Sequence, residues 1–442
     1  MSKPIVAIVG RPNVGKSTLF NIFADSRISI VEDTPGVTRD RLYAEAEWLD
    51  RRFTMVDTGG IEMQNTDSIA VSIRQQAEIA IKEADVIMFV CDARSGITND
   101  DLDVAKLLRQ SRKPVVLAVN KADTPKQEAE AYEFYNLGIG EPFLISASNR
   151  LNLGDLLDAV VEKFPPEDDD DDEDDDVIKV AIIGRPNVGK SSIFNDIVGQ
   201  SRSIVSDVAG TTRDAIDVPV VKDGQTYLFI DTAGMRRKGK VDEPIEKYSI
   251  IRTLRAVDRS DVVLMVLNAV EGITEQDKKI AGYAHEAGKG VVIVVNKWDL
   301  YNKDNNSTVK FTEEIHKELI FMPYANVVFV SALTQQRISR LPELIKDAAE
   351  ANAMRISTSI LNQVITDAVA MNQPPQEKGK RLKILYTTQV KVKPPTFVIF
   401  CNEPEIMHFS YQRYLENKLR EAFGFQGTPI NLIVRGKNEE DQ

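Results

Sequence analysis

The feature that most constrains this chain is an octapeptide that occurs twice. Gly10-Arg-Pro-Asn-Val-Gly-Lys-Ser17 reappears letter for letter at Gly184 to Ser191, 174 residues further on. A repeat on this scale has to be settled first, because a duplicated unit fixes the architecture of the whole. Further pairs follow in the same order. Thr-Arg-Asp at 38–40 recurs at 212–214, and Asp57-Thr-Gly-Gly60 answers to Asp231-Thr-Ala-Gly234. Asn120-Lys-Ala-Asp123 answers to Asn296-Lys-Trp-Asp299, and Ser146-Ala147 to Ser331-Ala332. Five marks in one order mean a duplicated domain, and 442 residues leave room for a shorter third one.

Within each copy, short β-rich apolar runs alternate with helical patterns, which predicts an α/β fold: a parallel sheet with helices on both faces. The strands are expected at 5–9, 53–56, 86–90, 115–119 and 143–145, and again at 180–183, 227–230, 262–267, 291–295 and 327–330. Every mark then falls at the C-terminal end of a strand, where open α/β sheets bind ligands. The domains read as 1–164, a linker at 165–176, 177–350 and 351–442.

Composition fits that reading. Hydrophobic residues at 43% and charged residues at 28% describe a globular protein, and no stretch approaches the roughly 18 apolar residues of a membrane span. The apolar opening Ile5 to Val9 lacks a basic leader and runs straight into a glycine loop, so a cytoplasmic location is expected. Cys91 and Cys401 lie far apart in apolar runs, as buried free thiols do. The net charge of −12 is local, because Glu167 to Asp176 is an unbroken run of ten acidic residues and the remainder sums to −2. Such a run repels itself and buries nothing, so it reads as a solvated spacer, with a mimic of nucleic acid as the alternative.

The chemistry lies in the repeated marks. Gly-x-x-x-x-Gly-Lys-Ser between a strand and a helix makes a loop whose N–H groups cradle phosphates. That assigns Gly10, Arg11, Pro12, Asn13, Val14, Gly15, Lys16 and Ser17 to one nucleotide, and Gly184, Arg185, Pro186, Asn187, Val188, Gly189, Lys190 and Ser191 to another. Lys16 and Lys190 would bridge the β- and γ-phosphates, and the hydroxyls of Ser17 and Ser191 would bind Mg²⁺. Asp57 and Asp231 would stand near that ion. In Asp57, Thr58, Gly59, Gly60 and in Asp231, Thr232, Ala233, Gly234, the last glycine can bring a backbone N–H against the γ-phosphate. Asp123 and Asp299 would choose the base: a carboxylate only accepts, and guanine offers it N1–H and an amine that adenine lacks. Asn120 and Asn296 would fix the loop, Lys121 and Lys297 would lie against the base, and Ser146, Ala147, Ser331 and Ala332 could add an N–H to the guanine oxygen.

These residues resemble the Era-like branch of the P-loop GTPases. Two such domains followed by a short third one resemble the Der family, also called EngA, of bacterial ribosome-assembly GTPases. The likeness spans nearly the whole chain, including Pro-Gly-Val-Thr-Arg-Asp-Arg at 35–41 and Asp-Thr-Ala-Gly-Met-Arg at 231–236. One departure is Ser148-Asn149-Arg150, where the family often has a His-Gly pair. The resemblance implies that Thr38 and Thr212 close over Mg²⁺, making 28–41 and 203–214 the first switches.

Where many GTPases place a water-orienting glutamine, this chain has Ile61 and Met235, and neither can hold a water. Hydrolysis is therefore expected to be slow. No arginine finger can be named, although Arg236 and Arg237 lie close in sequence to the second site. Relatives with this replacement often use K⁺, bound partly by an asparagine of the phosphate loop, which implies K⁺ at Asn13 and Asn187.

After Ala351 the phosphate marks stop, and the pattern becomes helix (359–371), strand (382–392), strand (396–401), helix (409–423), strand (430–434), an order resembling the KH-like domain that ends the Der family. Between Ala351 and Lys437 there are 12 Lys and Arg against 6 Asp and Glu. Alternation along the first strand predicts one face with Leu382, Ile384, Tyr386, Val390 and Val392 and another with Lys383, Lys391 and Lys393. Gly424-Phe-Gln-Gly427 has the letters of a KH clamp but lies between a helix and a strand, so it reads as a helix C-cap. The sum is a monomeric tandem GTPase switch that binds ribosomal RNA or the large ribosomal subunit, with protein regulators possible and no membrane span. The alternative is a signalling or scaffold switch with protein partners only.

Overall fold

A computed structural model describes residues 3–25, 43–59, 69–124, 131–166, 176–200, 217–232, 248–302, 304, 306–377 and 379–436. The chain divides into two compact units, one around the first sheet and one holding the second sheet and the C-terminal domain.

The first unit runs β1 (Ile5–Val9), α1 (Lys16–Asp25), β2 (Tyr43–Trp48), β3 (Arg51–Asp57), α2 (Ile69–Glu83), β4 (Val86–Asp92), α3 (Asn99–Ser111), β5 (Val115–Asn120), β6 (Pro142–Leu144) and α4 (Leu153–Glu162). Its sheet has the order β2-β3-β1-β4-β5-β6, all parallel except β2, which pairs antiparallel with β3. That edge strand, Tyr-Ala-Glu-Ala-Glu-Trp, was not expected from the sequence, because half-exposed alternation is a weak signal beside the solid apolar runs of central strands. Ile5, Ala7 and Val9 pack against α2 and α3, while Val6 and Ile8 pack against α1 and α4.

The second sheet repeats this plan. The elements are β7 (Val177–Ile183), α5 (Lys190–Gln200), β8 (Val218–Lys222), β9 (Gln225–Phe229), α6 (Tyr248–Arg259), β10 (Val262–Asn268), α7 (Glu275–Glu286), β11 (Gly290–Asn296), α8 (Ser307–Glu318), β12 (Asn326–Phe329) and α9 (Leu341–Ala353). The order is β12-β11-β10-β7-β9-β8, with β8 the antiparallel edge. Register aligns the strand ends: Ile8 lies beside Asp57, Asp92 beside Asn120 and Asn268 beside Asn296. The marked loops therefore leave each sheet along one edge.

The C-terminal domain contains α10 (Thr358–Met371), a short hairpin of β13 (Gln376–Glu377) and β14 (Lys380–Arg381), then β15 (Ile384–Lys391), β16 (Thr396–Cys401), α11 (Phe409–Phe423) and β17 (Asn431–Gly436). Its helices pack Leu361, Ile365, Leu415 and Leu419 onto Phe397, Ile399 and Cys401. The expected alternation on β15 is overturned. Thr387 and Gln389 are buried, whereas Tyr386 and Val390 are exposed. Irregular pairing between Ile384 and Tyr386, and again between Gln389 and Lys391, resets which side chains face inward. The buried amide of Gln389 is satisfied, accepting from Ile356 N at 2.7 Å and donating to Met354 O at 2.9 Å.

Gly424 is the C-cap of α11, with φ 92°. The turn it opens also joins the domain to the second sheet: Gly427 N donates to Tyr324 O at 2.8 Å, and Gly427 O accepts from Val291 N at 2.6 Å. A side chain at Gly427 would press on Ala348, and φ is +75° there. Thr428 Oγ1 donates to Asn352 Oδ1 at 2.9 Å. His285 Nδ1 lies 2.8 Å from the Tyr324 hydroxyl, and burial pushes the imidazole down to about 4. Neither Cys91 nor Cys401 is in a disulfide, and both are buried.

Candidate functional site

At the end of β1 the chain turns back under β4. A Cβ on Gly10 would run into Val90 O, and one on Gly15 into the Asn120 amide; Gly184 and Gly189 stand in the same relation to Val266 O and Asn296. These glycines let the loop lie against its neighbours, which is what the sequence spacing requires. Asn13 and Asn187 hold left-handed backbone, with φ 66° and 62°, a conformation asparagine tolerates better than most residues.

The loop lysines are held ready. Lys16 Nζ donates to Gly10 O at 2.8 Å and Arg11 O at 2.7 Å, and Lys190 Nζ to Gly184 O and Arg185 O, both at 2.7 Å. Burial lowers the pKa of Lys16 against the pull of Asp57, and pushes Lys190 down to about 8. An anionic phosphate is the partner that such desolvated ammonium groups fit. Beside Lys16, Ser17 Oγ donates to Asp57 Oδ2 at 2.7 Å, a hydroxyl and a carboxylate placed together as a Mg²⁺ site with water ligands needs. Asp57 Oδ1 accepts from Gly59 N at 2.9 Å, and Thr58 Oγ1 donates to Ile8 O at 2.6 Å. In the second copy Asp231 has φ 53°, and its N–H donates to Asp217 Oδ1 at 3.0 Å.

One side chain ties the phosphate loop to the base loop in each copy. Asn120 Nδ2 donates to Val14 O at 2.9 Å while its Oδ1 accepts from Ala147 N at 2.9 Å. Asn296 does the same with Val188 O at 2.9 Å and Ala332 N at 3.1 Å. Lys121 Nζ reaches Asn13 O at 2.6 Å and Asp92 Oδ2 at 2.7 Å. Asp123 accepts from Ser146 Oγ, from Asn149 Nδ2 at 3.1 Å and from Arg94 Nη2 at 2.6 Å. The Ser146 bond, then Arg94, hold its carboxyl below the usual carboxylate range.

Thus the first phosphate loop comes together with Asp57, Thr58, Gly59, Asn120, Lys121, Asp123, Ser146 and Ala147, and in the second copy Asn296 joins the phosphate loop to Ala332, while Asp231, Thr232, Lys297, Asp299 and Ser331 follow the strand ends of the same sheet. Thr38, Gly60, Ile61, Thr212, Ala233, Gly234, Met235, Arg236, Arg237 and both first-switch segments lie outside the described residues, as does most of the acidic run.

Sequence reasoning missed what holds the loops from outside. Arg11 Nε donates to Asp101 Oδ1 and Arg185 Nε to Asp277 Oδ2, each at 2.9 Å, and both carboxylates are fully buried. Each aspartate is the third residue of a helix capped by a threonine, Thr98 or Thr274, in a reciprocal capping box. Gly-Ile-Thr-x-x-Asp at 96–101 and 272–277 is a further repeat that would have revealed it. Arg94 and Asn149 were missed too, because nothing in their spacing marks them.

Against models of known families, residues 5–121 and 179–297 match one described as 50S ribosome-binding GTPase, and 355–435 match the C-terminal KH-domain-like model of EngA bacterial GTPase enzymes. Proteins called GTPase Der are similar from end to end: that of Alkaliphilus oremlandii is 60% identical over 441 residues, covering 100% of both chains. That of Agathobacter rectalis is 59% identical over 442 residues with the same coverage, and that of a Geobacillus species is 59% identical over 435, covering 98% of this chain and 99% of its own. The chain belongs to the Der family. It is a guanine-nucleotide-binding switch that hydrolyses GTP, with Mg²⁺ as the general requirement of such GTPases. Among the described residues, no helix is long and apolar enough to cross a membrane.

Proposed function

We propose that this Der-family GTPase is a cytoplasmic switch with two guanine nucleotides per chain, acting in assembly of the large ribosomal subunit and binding that subunit or its RNA through the C-terminal domain. The observation that carries the reading is the pair of matches to a ribosome-binding GTPase model in one chain with an EngA-type KH-like end. The domains are taken as 1–164, 177–350 and 351–442. Lys383, Lys391 and Lys393 are exposed, which suits contact with phosphates. In each site the phosphate-loop lysine holds the β- and γ-phosphates. Ser17 with Asp57, and Ser191 with Asp231, serve Mg²⁺, and Asp123 and Asp299 read the base. Thr38, Thr212, Gly60 and Gly234 sense the γ-phosphate, and only contacts made with GTP and not with GDP can favour one domain arrangement over another.

Co-sedimentation tests the ribosomal reading. The protein should sediment with large subunits preferentially when loaded with a GTP analogue. Replacing Lys383, Lys391 and Lys393 together by Glu should weaken this without altering GTP affinity, and each lost phosphate contact should flatten the log-log salt dependence by about 0.7 to 0.9. Equal binding in GDP and analogue states, or an undiminished triple variant, would leave the protein-partner alternative in front.

Hydrolysis is slow because Ile61 and Met235 cannot orient water, and K⁺ held partly by Asn13 and Asn187 would supply positive charge in place of an arginine finger. The rate should rise when K⁺ replaces Na⁺ at equal ionic strength. Asn13→Ala and Asn187→Ala should each blunt the rise at one site. Identical rates in the two salts would remove K⁺ from the scheme.

A further inference from the structure

The two copies present the same turn beside the base loop but with different side chains on it. In the first, Asp92 Oδ1 accepts from Arg94 N at 2.9 Å; in the second, Asn268 Oδ1 accepts from Val270 N at 3.1 Å. Arg94 and Val270 are thus equivalent positions on one backbone geometry. Val270 is exposed and has no polar atom to offer. Arg94 reaches Asp123 Oδ2 at 2.6 Å, with the arginine side chain 59% exposed and the aspartate 16%.

A guanidinium and the N1–C2–N2 edge of guanine present the same pattern, two N–H donors on nitrogens that share one carbon. Both seek a carboxylate, which has about four acceptor positions. On Asp123, Oδ1 already accepts from Ser146 and Asn149, and Oδ2 accepts from Arg94. Too few positions are left for a base that brings two donors, so base and arginine compete.

We propose that Arg94 is a built-in competitor for guanine at the first site, absent from the second, so that the first site holds guanine nucleotides less tightly than its carboxylate alone would allow. This rests on the reading of Asp123 as the guanine acceptor. Because the arginine side of the ion pair is exposed, it shifts affinity by only a few-fold and is screened by salt. The competition acts on the base and not on the phosphates, so GDP and GTP are weakened alike.

The test is a reciprocal exchange in the full chain. With Asp299→Asn present, so that GDP reports the first site, Arg94→Val should tighten GDP binding about two- to fivefold in calorimetry and slow release of a fluorescent GDP analogue. The gain should shrink as salt is raised. With Asp123→Asn present instead, Val270→Arg should weaken GDP binding at the second site by a similar factor. If Arg94→Val weakens GDP binding, the arginine grips the nucleotide and the proposal is overturned; an unchanged affinity in both exchanges overturns it equally. The reading of Asp123 is checked separately by comparing GDP with XDP: if Asp123→Asn alone leaves that preference untouched, the base assignment itself has failed.

Discussion

Asp123→Asn is expected to turn the first site from guanine to xanthine nucleotides, and Asp299→Asn to do the same at the second, each leaving the other site nearly intact. Xanthine carries an oxygen where guanine carries its 2-amine. An aspartate accepts from both donors of guanine, whereas an asparagine offers one donor and one acceptor, the pattern xanthine needs. A site built around specific hydrogen bonds rejects an analogue that leaves its buried groups unpaired, so the loss of GDP preference should be roughly a hundredfold or more. Asn120 and Asn296 still tie phosphate loop to base loop, so the frame of each site survives the change. Competition titration of GDP against XDP reads the switch. Calorimetry on the unaltered chain should count two guanine nucleotides, and each variant should leave one. A single nucleotide per unaltered chain would contradict the tandem assignment.

A second large effect is expected from the buried ion pairs behind the phosphate loops. Asp277 is fully buried and Asp101 likewise, so removing Arg185 or Arg11 leaves a carboxylate without its main partner. Breaking such a pair from one side costs about 3–5 kcal/mol. The damage should also reach the nucleotide, because the carbonyls of Gly184 and Arg185 are the ones that hold Lys190. Arg185→Met should therefore expose α7 to faster hydrogen exchange and weaken GDP binding at the second site about tenfold or more, with the first site unchanged. Normal exchange and normal affinity in this variant would show that the pair is incidental.

The phosphate and base loops were legible because each needs particular residues at fixed spacing: glycines where a Cβ would strike a neighbour, and an asparagine with a donor and an acceptor to bridge two loops. The central strands were legible because burial on both faces writes an unbroken apolar run. What the sequence hid has an equally physical cause. The edge strands β2 and β8 are half exposed and give weak alternation. The faces of β15 were misread because irregular pairing resets the alternation without leaving a letter-level sign. Arg94 acts through an exposed side chain whose only marker is its difference from Val270.

The duplicated Arg–Asp pairs also carry information about history. Had the buried aspartate come first, it would have stood without its charged partner, so making the same pair twice by that route, in the same place and with the same threonine cap, would mean crossing that unfavourable form twice. Inheritance requires it once. The pair therefore dates from a single-domain ancestor that had already locked its loop to the neighbouring helix. The turn bearing Arg94 and Val270 is exposed, so nothing opposed its drift after the copies separated: the interior preserved the common origin while the rim was free to make the two sites unequal.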